Sequence, residues 1–222
     1  SDYALQKFKD GSDPDAFPNH DIFNKIISRN AVITTHNIEL SGGTDKIKYY
    51  GSLGYQRQAG MWKTTHTSRY NWTLNLDAQA TRTTKISFGI NGRVQNANYP
   101  PSDQNVGKTG RTGRIFELAG FAQLGYGPPI FSNGMYGSHI MPAIFDSGYE
   151  KTNSTALYTQ LTLEQQIAFI KGLSLKGTLA FDPRFDKSKL WKTPLHVATI
   201  DTTQRPYVIT DGIFGNTKPA LI

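Results

Sequence analysis

The chain has no cysteine, which removes disulfides, zinc–thiolate sites and thiol nucleophiles together. It also has no apolar run near the roughly 20 residues that a membrane-spanning helix needs, so a helical membrane protein is excluded. The net charge of +7 suits a polyanion in principle. The Lys and Arg residues are scattered, however, and no basic cluster interleaves with stacking aromatics, so no nucleic-acid partner is expected. The histidines His20, His36, His66, His139 and His196 have no metal-ligand spacing. Neither a metal nor a cofactor is expected.

Motifs with chemistry are equally scarce. Gly107-Lys108-Thr109 resembles the end of a phosphate loop, but Ser102 stands where its first glycine belongs. Asp10-Gly11-Ser12-Asp13-Pro14-Asp15 lacks EF-hand spacing and reads as a solvated turn. Asn71-Trp72-Thr73 and Asn153-Ser154-Thr155 match the glycosylation sequon, yet a strand interior is a poor acceptor. Asp182 and Asp186 could serve a glycosidase, but loop carboxylates have commoner uses and no nucleophile–base pairing is visible. No catalytic residue is assigned, and the chain is not expected to be an enzyme. The opening Ser1-Asp2-Tyr3 lacks the apolar core of a signal peptide, and Ala220-Leu221-Ile222 follows a Gly/Pro-rich stretch. Neither reads as a natural terminus, so a piece of a longer chain is expected.

What the sequence does have is alternation. Tyr70, Trp72, Leu74, Leu76, Ala78 and Ala80 alternate with Arg69, Asn71, Thr73, Asn75, Asp77 and Gln79. Ile86, Phe88, Ile90, Gly92 and Val94 alternate in the same way with Lys85, Ser87, Gly89, Asn91, Arg93 and Gln95. Period-2 alternation gives a strand with one apolar and one wet face. Runs this long exceed the usual strand and match the roughly 9–11 residues of a tilted membrane-spanning strand. The hydrophobic content of 37% is no objection, because only alternate residues of such a strand meet lipid.

Six strands are expected, at about residues 32–40, 46–58, 69–80, 85–95, 156–165 and 173–181. Their connections run short, medium, short, very long, short, the order of a barrel with short periplasmic turns and long extracellular loops. Residues 41–45, 81–84 and 168–172 then face the periplasm, and residues 57–68 and 96–151 face outside. Tyr55, Tyr70 and Trp72 lie near the outer strand ends, where an aromatic girdle would sit. The alternatives are a secreted soluble β-sheet module that binds carbohydrate and, with no support in the sequence, a glycoside hydrolase.

Phe17-Pro18-Asn19-His20-Asp21, then His36-Asn37 and Ser41-Gly42-Gly43, form a distinctive series. Tyr49-Tyr50-Gly51-Ser52-Leu53-Gly54-Tyr55, Arg69-Tyr70-Asn71, Asn75-Leu76-Asp77 and Ser147-Gly148-Tyr149 continue it. In combination these resemble the SusC/RagA family of TonB-dependent outer-membrane transporters of Bacteroidetes. His20 departs from the usual Thr, and Ile22 stands near a common Trp.

The resemblance implies an all-β antiparallel transmembrane barrel of about 22 strands around a plug. It further implies a SusD-like lipoprotein on the outer face, energy from the TonB complex, and import of a glycan or peptide across the outer membrane of a Gram-negative bacterium. On that reading residues 1–30 are loop and short helix, and 31–95 hold four strands. Residues 96–152 form the long extracellular loop, 153–183 hold two strands, and 184–222 return to loop and the start of the next strand. The plug would lie outside this segment. The lumen would be lined by Lys48, Arg69, Asn71, Asn75, Asp77, Asn91 and Arg93, with lipid bilayer on the other face. Candidate substrate contacts are the long-loop residues Tyr99, Asp103, Phe121, Tyr126, Phe131, Asn133, Tyr136 and Phe145, as apolar platforms with polar partners.

Overall fold

A computed structural model describes residues 2–100, 127–138 and 140–214. One antiparallel sheet dominates: β1 (Ile33–Gly43), β2 (Ile47–Ala59), β3 (His66–Gln79), β4 (Thr84–Tyr99), β5 (Gly148–Gln166) and β6 (Ser174–Phe181), in sequence order. A further strand, β7 (Arg184–Lys192), also pairs with β5. The sheet is not closed: β1 forms one edge, and β6 with β7 the other.

β6 and β7 are one strand in all but name. Thr159 pairs with Phe181 and Ala156 with Arg184, so no residue is gained or lost between them. Only Asp182 and Pro183 interrupt the ladder. Leu157 N–H still donates to the Pro183 carbonyl at 3.0 Å, and the return bond is the one that a proline nitrogen cannot make. The Asp182 carboxylate accepts from Thr159 N–H at 3.2 Å.

The strands therefore run further than their alternation marks. β4 continues beyond residue 95 to Tyr99, β5 starts at Gly148 rather than near residue 156, and the last strand reaches Lys192 rather than Phe181. The expected loop of residues 96–152 gives up residues 96–99 to β4 and 148–152 to β5, and the stretch from residue 184, expected as loop, begins as strand. At this end of the sheet the outward face becomes polar as well, so the periodic signal fades while the hydrogen-bond ladder continues.

Short turns at residues 44–46, 80–83 and 167–173 all lie at one end of the sheet, and the longer connections at the other. Gly148 opens β5 with φ +107, and a Cβ there would lie 2.1 Å from the Trp191 carbonyl oxygen. Only glycine fits that start.

Among the described residues, the main buried apolar cluster lies off the sheet, in the connections at the loop end. Ile22 and Ile26 of α2 (Ile22–Ile26) meet Trp62 of the β2–β3 connection. Ile140, Met141 and Ile144 of α3 (Ile140–Phe145) complete the cluster. Asp21 caps α2 by accepting from Asn24 N–H at 3.1 Å. Ser28 N–H donates to Met61 O at 2.8 Å, and Ala198 N–H to Tyr136 O at 2.7 Å. Those bonds tie the N-terminal segment to the β2–β3 connection, and the segment after β7 to the long loop. α1 (Asp2–Asp10) adds no buried residue, but Tyr3 and Phe8 set their rings edge-on to Phe17. The Tyr207 hydroxyl donates to Asp13 at 2.5 Å.

Candidate functional site

Strand register sorts the side chains into two faces. One face carries the row Ile38, Leu53, Trp72, Gly92 and Leu157. Beside it, toward the turn end, run Leu40, Gly51, Leu74, Ile90, Thr159 and Phe181, then Gly42, Tyr49, Leu76, Phe88, Leu161 and Leu179. Ile47, Ala78, Ile86, Leu163 and Gly177 form the next row. Toward the loop end the series closes with His36, Tyr55, Tyr70, Val94, Thr155 and Phe185. These rows make an apolar band roughly 26 Å long along the strands, or about 20 Å high at barrel tilt.

Nothing in the described chain covers the band: Ile38 and Leu179 are each 73% exposed. Its upper border is aromatic. Tyr55 lies 5.1 Å from Tyr70 and stacks on His36 at 6.3 Å between ring centroids. Trp72 lies across Gly92, where an added Cβ would sit within 2.0 Å of the indole.

The opposite face is polar. Lys48, Asp77, Ser87 and Thr162 form one row, and Tyr50, Asn75, Gly89 and Gln160 the next. Thr73, Asn91 and Tyr158 follow, then Asn71, Arg93 and Arg184, then Arg69, Gln95, Ser154 and Asp186. Neighbours on this face bond one another. Ser87 donates to Asp77 at 2.5 Å, Thr73 to Asn91 at 2.9 Å and Arg69 to Gln95 at 3.3 Å. Lys85 reaches Asp77 at 3.8 Å, and the Arg184 guanidinium sits 2.9 Å from the Asp186 carboxylate. A shallow concavity of about 390 Å³ opens here, lined by Asn75, Asp77, Asn91, Tyr158, Gln160 and Asp182 among others. Such a surface offers amide and hydroxyl donors and acceptors with fixed guanidinium groups, and no nucleophile held by a base.

All seven residues read from the sequence as lumen-lining share this polar face: Lys48, Arg69, Asn71, Asn75, Asp77, Asn91 and Arg93. Sequence reasoning placed Tyr158 and Gln160 on the polar side of the fifth strand but missed the continuation of this face onto β7 through Arg184 and Asp186. The alternation Arg184, Asp186, Ser188 was there to read, but lysines on the opposite face masked it.

The long-loop candidates are dispersed. Asp103, Phe121 and Tyr126 lie outside the described residues. Tyr99 ends β4 on the polar face, opposite Glu150. Asn133 is exposed, and its side chain accepts from Met135 N–H at 3.0 Å within a tight turn. Phe131 is 4% exposed, while Tyr136 and Phe145 pack on the loop cluster. The Tyr136 hydroxyl donates to Asp146. Burial, then that hydrogen bond and the carboxylate charge, push the Tyr136 phenol up to about 12. These three rings thus spend their faces on the loop itself. Asp182 and Asp186 lie four positions apart along one strand line, a separation of about 13 Å that is too wide for a glycosidase pair. Among the described residues no cluster of His, Asp or Glu could hold a metal.

No family model matches the chain. The chain is similar to "TonB-dependent receptor P26" of Formosa agariphila, 30% identical over 107 residues, or 48% of this chain and 10% of that protein. It superposes on the RagAB peptide importer in its "closed-closed" state with TM-score 0.60 and 24% identity, over 84% of this chain and 22% of that one. The "open-open" state gives TM-score 0.61 and 25% identity, over 84% and 21%. The chain therefore spans between a tenth and about a quarter of the length of these relatives. Those relatives are receptors and importers, not enzymes. The chain is thus similar in sequence to a TonB-dependent receptor and in fold to the RagAB importer, and it matches a region of each larger protein.

Proposed function

We propose that the sheet forms part of the wall of an outer-membrane import barrel. The observation that carries this reading is the pairing of a continuous exposed apolar band on one face with a hydrogen-bonding face on the other. The apolar band fits the hydrocarbon layer, and the polar face fits a water-filled or plugged lumen. The short turns face the periplasm and the loop cluster faces outside. In the whole protein, a plug fills a barrel of about 22 strands, the TonB complex supplies energy, and a SusD-like lipoprotein caps the outer end. The cargo is an oligopeptide or oligosaccharide. Peptide ranks first because the solved neighbours are peptide importers. Lys48, Arg69, Asn71, Asn75, Asp77, Asn91 and Arg93 line the lumen, and Tyr99 at the loop end of β4 and the exposed turn residue Asn133 remain the described candidates for meeting cargo. A secreted carbohydrate-binding sheet fits less well, since it would leave an apolar band several strands wide in water.

The test uses the full-length protein in a Gram-negative host, with and without its lipoprotein partner. Uptake of fluorescent peptide and oligosaccharide libraries should depend on this protein and on TonB. Uptake that persists when either is deleted would count against import, and detergent-free purification as a monodisperse soluble protein would restore the soluble module.

A further inference from the structure

Above the aromatic border, the lipid-side face changes to a single sign of charge. The first row past Tyr55 and Tyr70 holds Arg57, Ser68, Asn96, Asn153 and Lys187. The second holds Ala59, His66, Asn98, Lys151 and Lys189. No carboxylate occupies any of these positions. Lys151 and Lys189 are direct cross-strand partners, an arrangement that costs stability unless something neutralises it. Both ammonium groups sit over the Tyr149 ring, at 4.5 and 5.9 Å from its centroid. That aromatic ring orders them without cancelling their charge.

The two rows enclose a concavity of about 480 Å³, lined by His66, Asn96, Lys151, Asn153, Lys187 and Lys189 among others. It lies on the opposite side of the sheet from the polar concavity near Asp77, so cargo in the lumen does not reach it. Its height is telling. The rows stand about 5 and 10 Å above the aromatic border at barrel tilt, within the head-group layer of a bilayer. Directly below lie Tyr70, Val94 and Phe185, an apolar shelf continuous with the band.

We infer that this basic concavity is a binding site for the phosphorylated head group of an outer-leaflet lipid, whose acyl chains lie down the apolar band beneath it. The lysines neutralise phosphate, the Asn amides bond its oxygens or neighbouring sugar hydroxyls, and the shelf takes the chains. A free anion would have no use for the shelf. The inference rests on the barrel reading proposed above.

The experiment uses the full-length receptor with its lipoprotein partner, inserted in nanodiscs of phosphatidylcholine with or without diphosphoryl lipid A. Lipid retained after transfer to detergent is counted by native mass spectrometry. Wild type should retain lipid A, and the triple variant Lys151→Gln, Lys187→Gln and Lys189→Gln should retain about tenfold less or lower, with the difference shrinking in high salt. Lys46→Gln with Lys171→Gln, at the turn end, should retain as much as wild type. Equal retention by the triple variant would overturn the site, as would displacement of lipid A by inorganic phosphate alone. Wild-type protein that fails to enter pure phosphatidylcholine nanodiscs would overturn the barrel reading and the site with it. Normal insertion with equal retention overturns the site alone.

Discussion

The Trp72 indole occupies the space above Gly92 that a side chain there would fill: an added Cβ would meet Trp72 Cε2 at 1.9 Å. The two are direct cross-strand partners one row below the aromatic border of the apolar band. Gly92→Ala should therefore displace the ring and destabilise the sheet by about 1–3 kcal/mol, an overpacking cost. Trp72→Leu in the same background should restore most of that loss, so a double-mutant cycle on the full-length receptor should show coupling. Additive effects would mean that the indole does not cover this glycine.

Leu74 and Thr73 are adjacent in sequence and opposite in environment. Leu74 lies in the apolar band, whereas Thr73 bonds Asn91 on the polar face. An arginine near mid-bilayer costs about 2–4 kcal/mol on the lipid side, and lumen positions tolerate it. Leu74→Arg should sharply reduce folded receptor in a refolding assay, with Thr73→Arg close to wild type. Equal losses would contradict the assignment of faces.

How far the sequence could be read tracks where the two faces differ. Between Tyr70 and Ala78, and between Ile86 and Val94, an apolar face opposes a polar one, and both strands and faces were legible residue by residue. From Asn96 on β4, from Thr152 down to Gly148 on β5, and from Lys187 on β7, both faces carry polar or charged side chains. Alternation is silent there, although the ladder is intact. Pro183 also disguised the last strand, because a proline in a run normally argues against a sheet interior. The loop cluster was illegible for another reason. Ile26, Trp62 and Ile144 are far apart in sequence, and no local pattern announces that they meet.

Ile26 is fully buried in that cluster, so Ile26→Ala should weaken the loop assembly by about 2–5 kcal/mol while leaving the sheet paired. Hydrogen exchange resolved by segment checks this in the full-length receptor. Amides of residues 22–27 and 140–146 should exchange faster, and those of Leu74–Leu76 should not change. Faster exchange throughout would mean that loops and sheet unfold as one unit.

Tyr136 supplies a pH signature. Its phenol holds its proton more tightly in the folded loop, with the value raised to about 12 from the usual 10. The folded state therefore binds the proton better than the unfolded one. This contribution is complete below pH 10 and is lost as pH rises through about 12. Protease sensitivity of residues 130–147 should climb over that window, and Tyr136→Phe should flatten the climb. An unchanged profile in the variant would show that Tyr136 is not responsible.

Orientation is open to direct labelling. An epitope tag at the exposed turn residue Gly134 should be detected on intact cells, and one at Gly42 or Lys171 only after the outer membrane is breached. The reverse pattern would invert the barrel.

The loop cluster draws its buried residues from the N-terminal segment, the β2–β3 connection and the long loop, with the stretch after β7 hydrogen-bonded alongside. On the import function proposed above, redirecting the protein toward new cargo would have to treat these loops as an indivisible graft. A foreign loop inserted alone would arrive without the partners for its own apolar side chains and would strand those of its neighbours. Residues 2–30, 60–65, 127–147 and 193–214 are better exchanged together, as a single cassette, with the strands left in place.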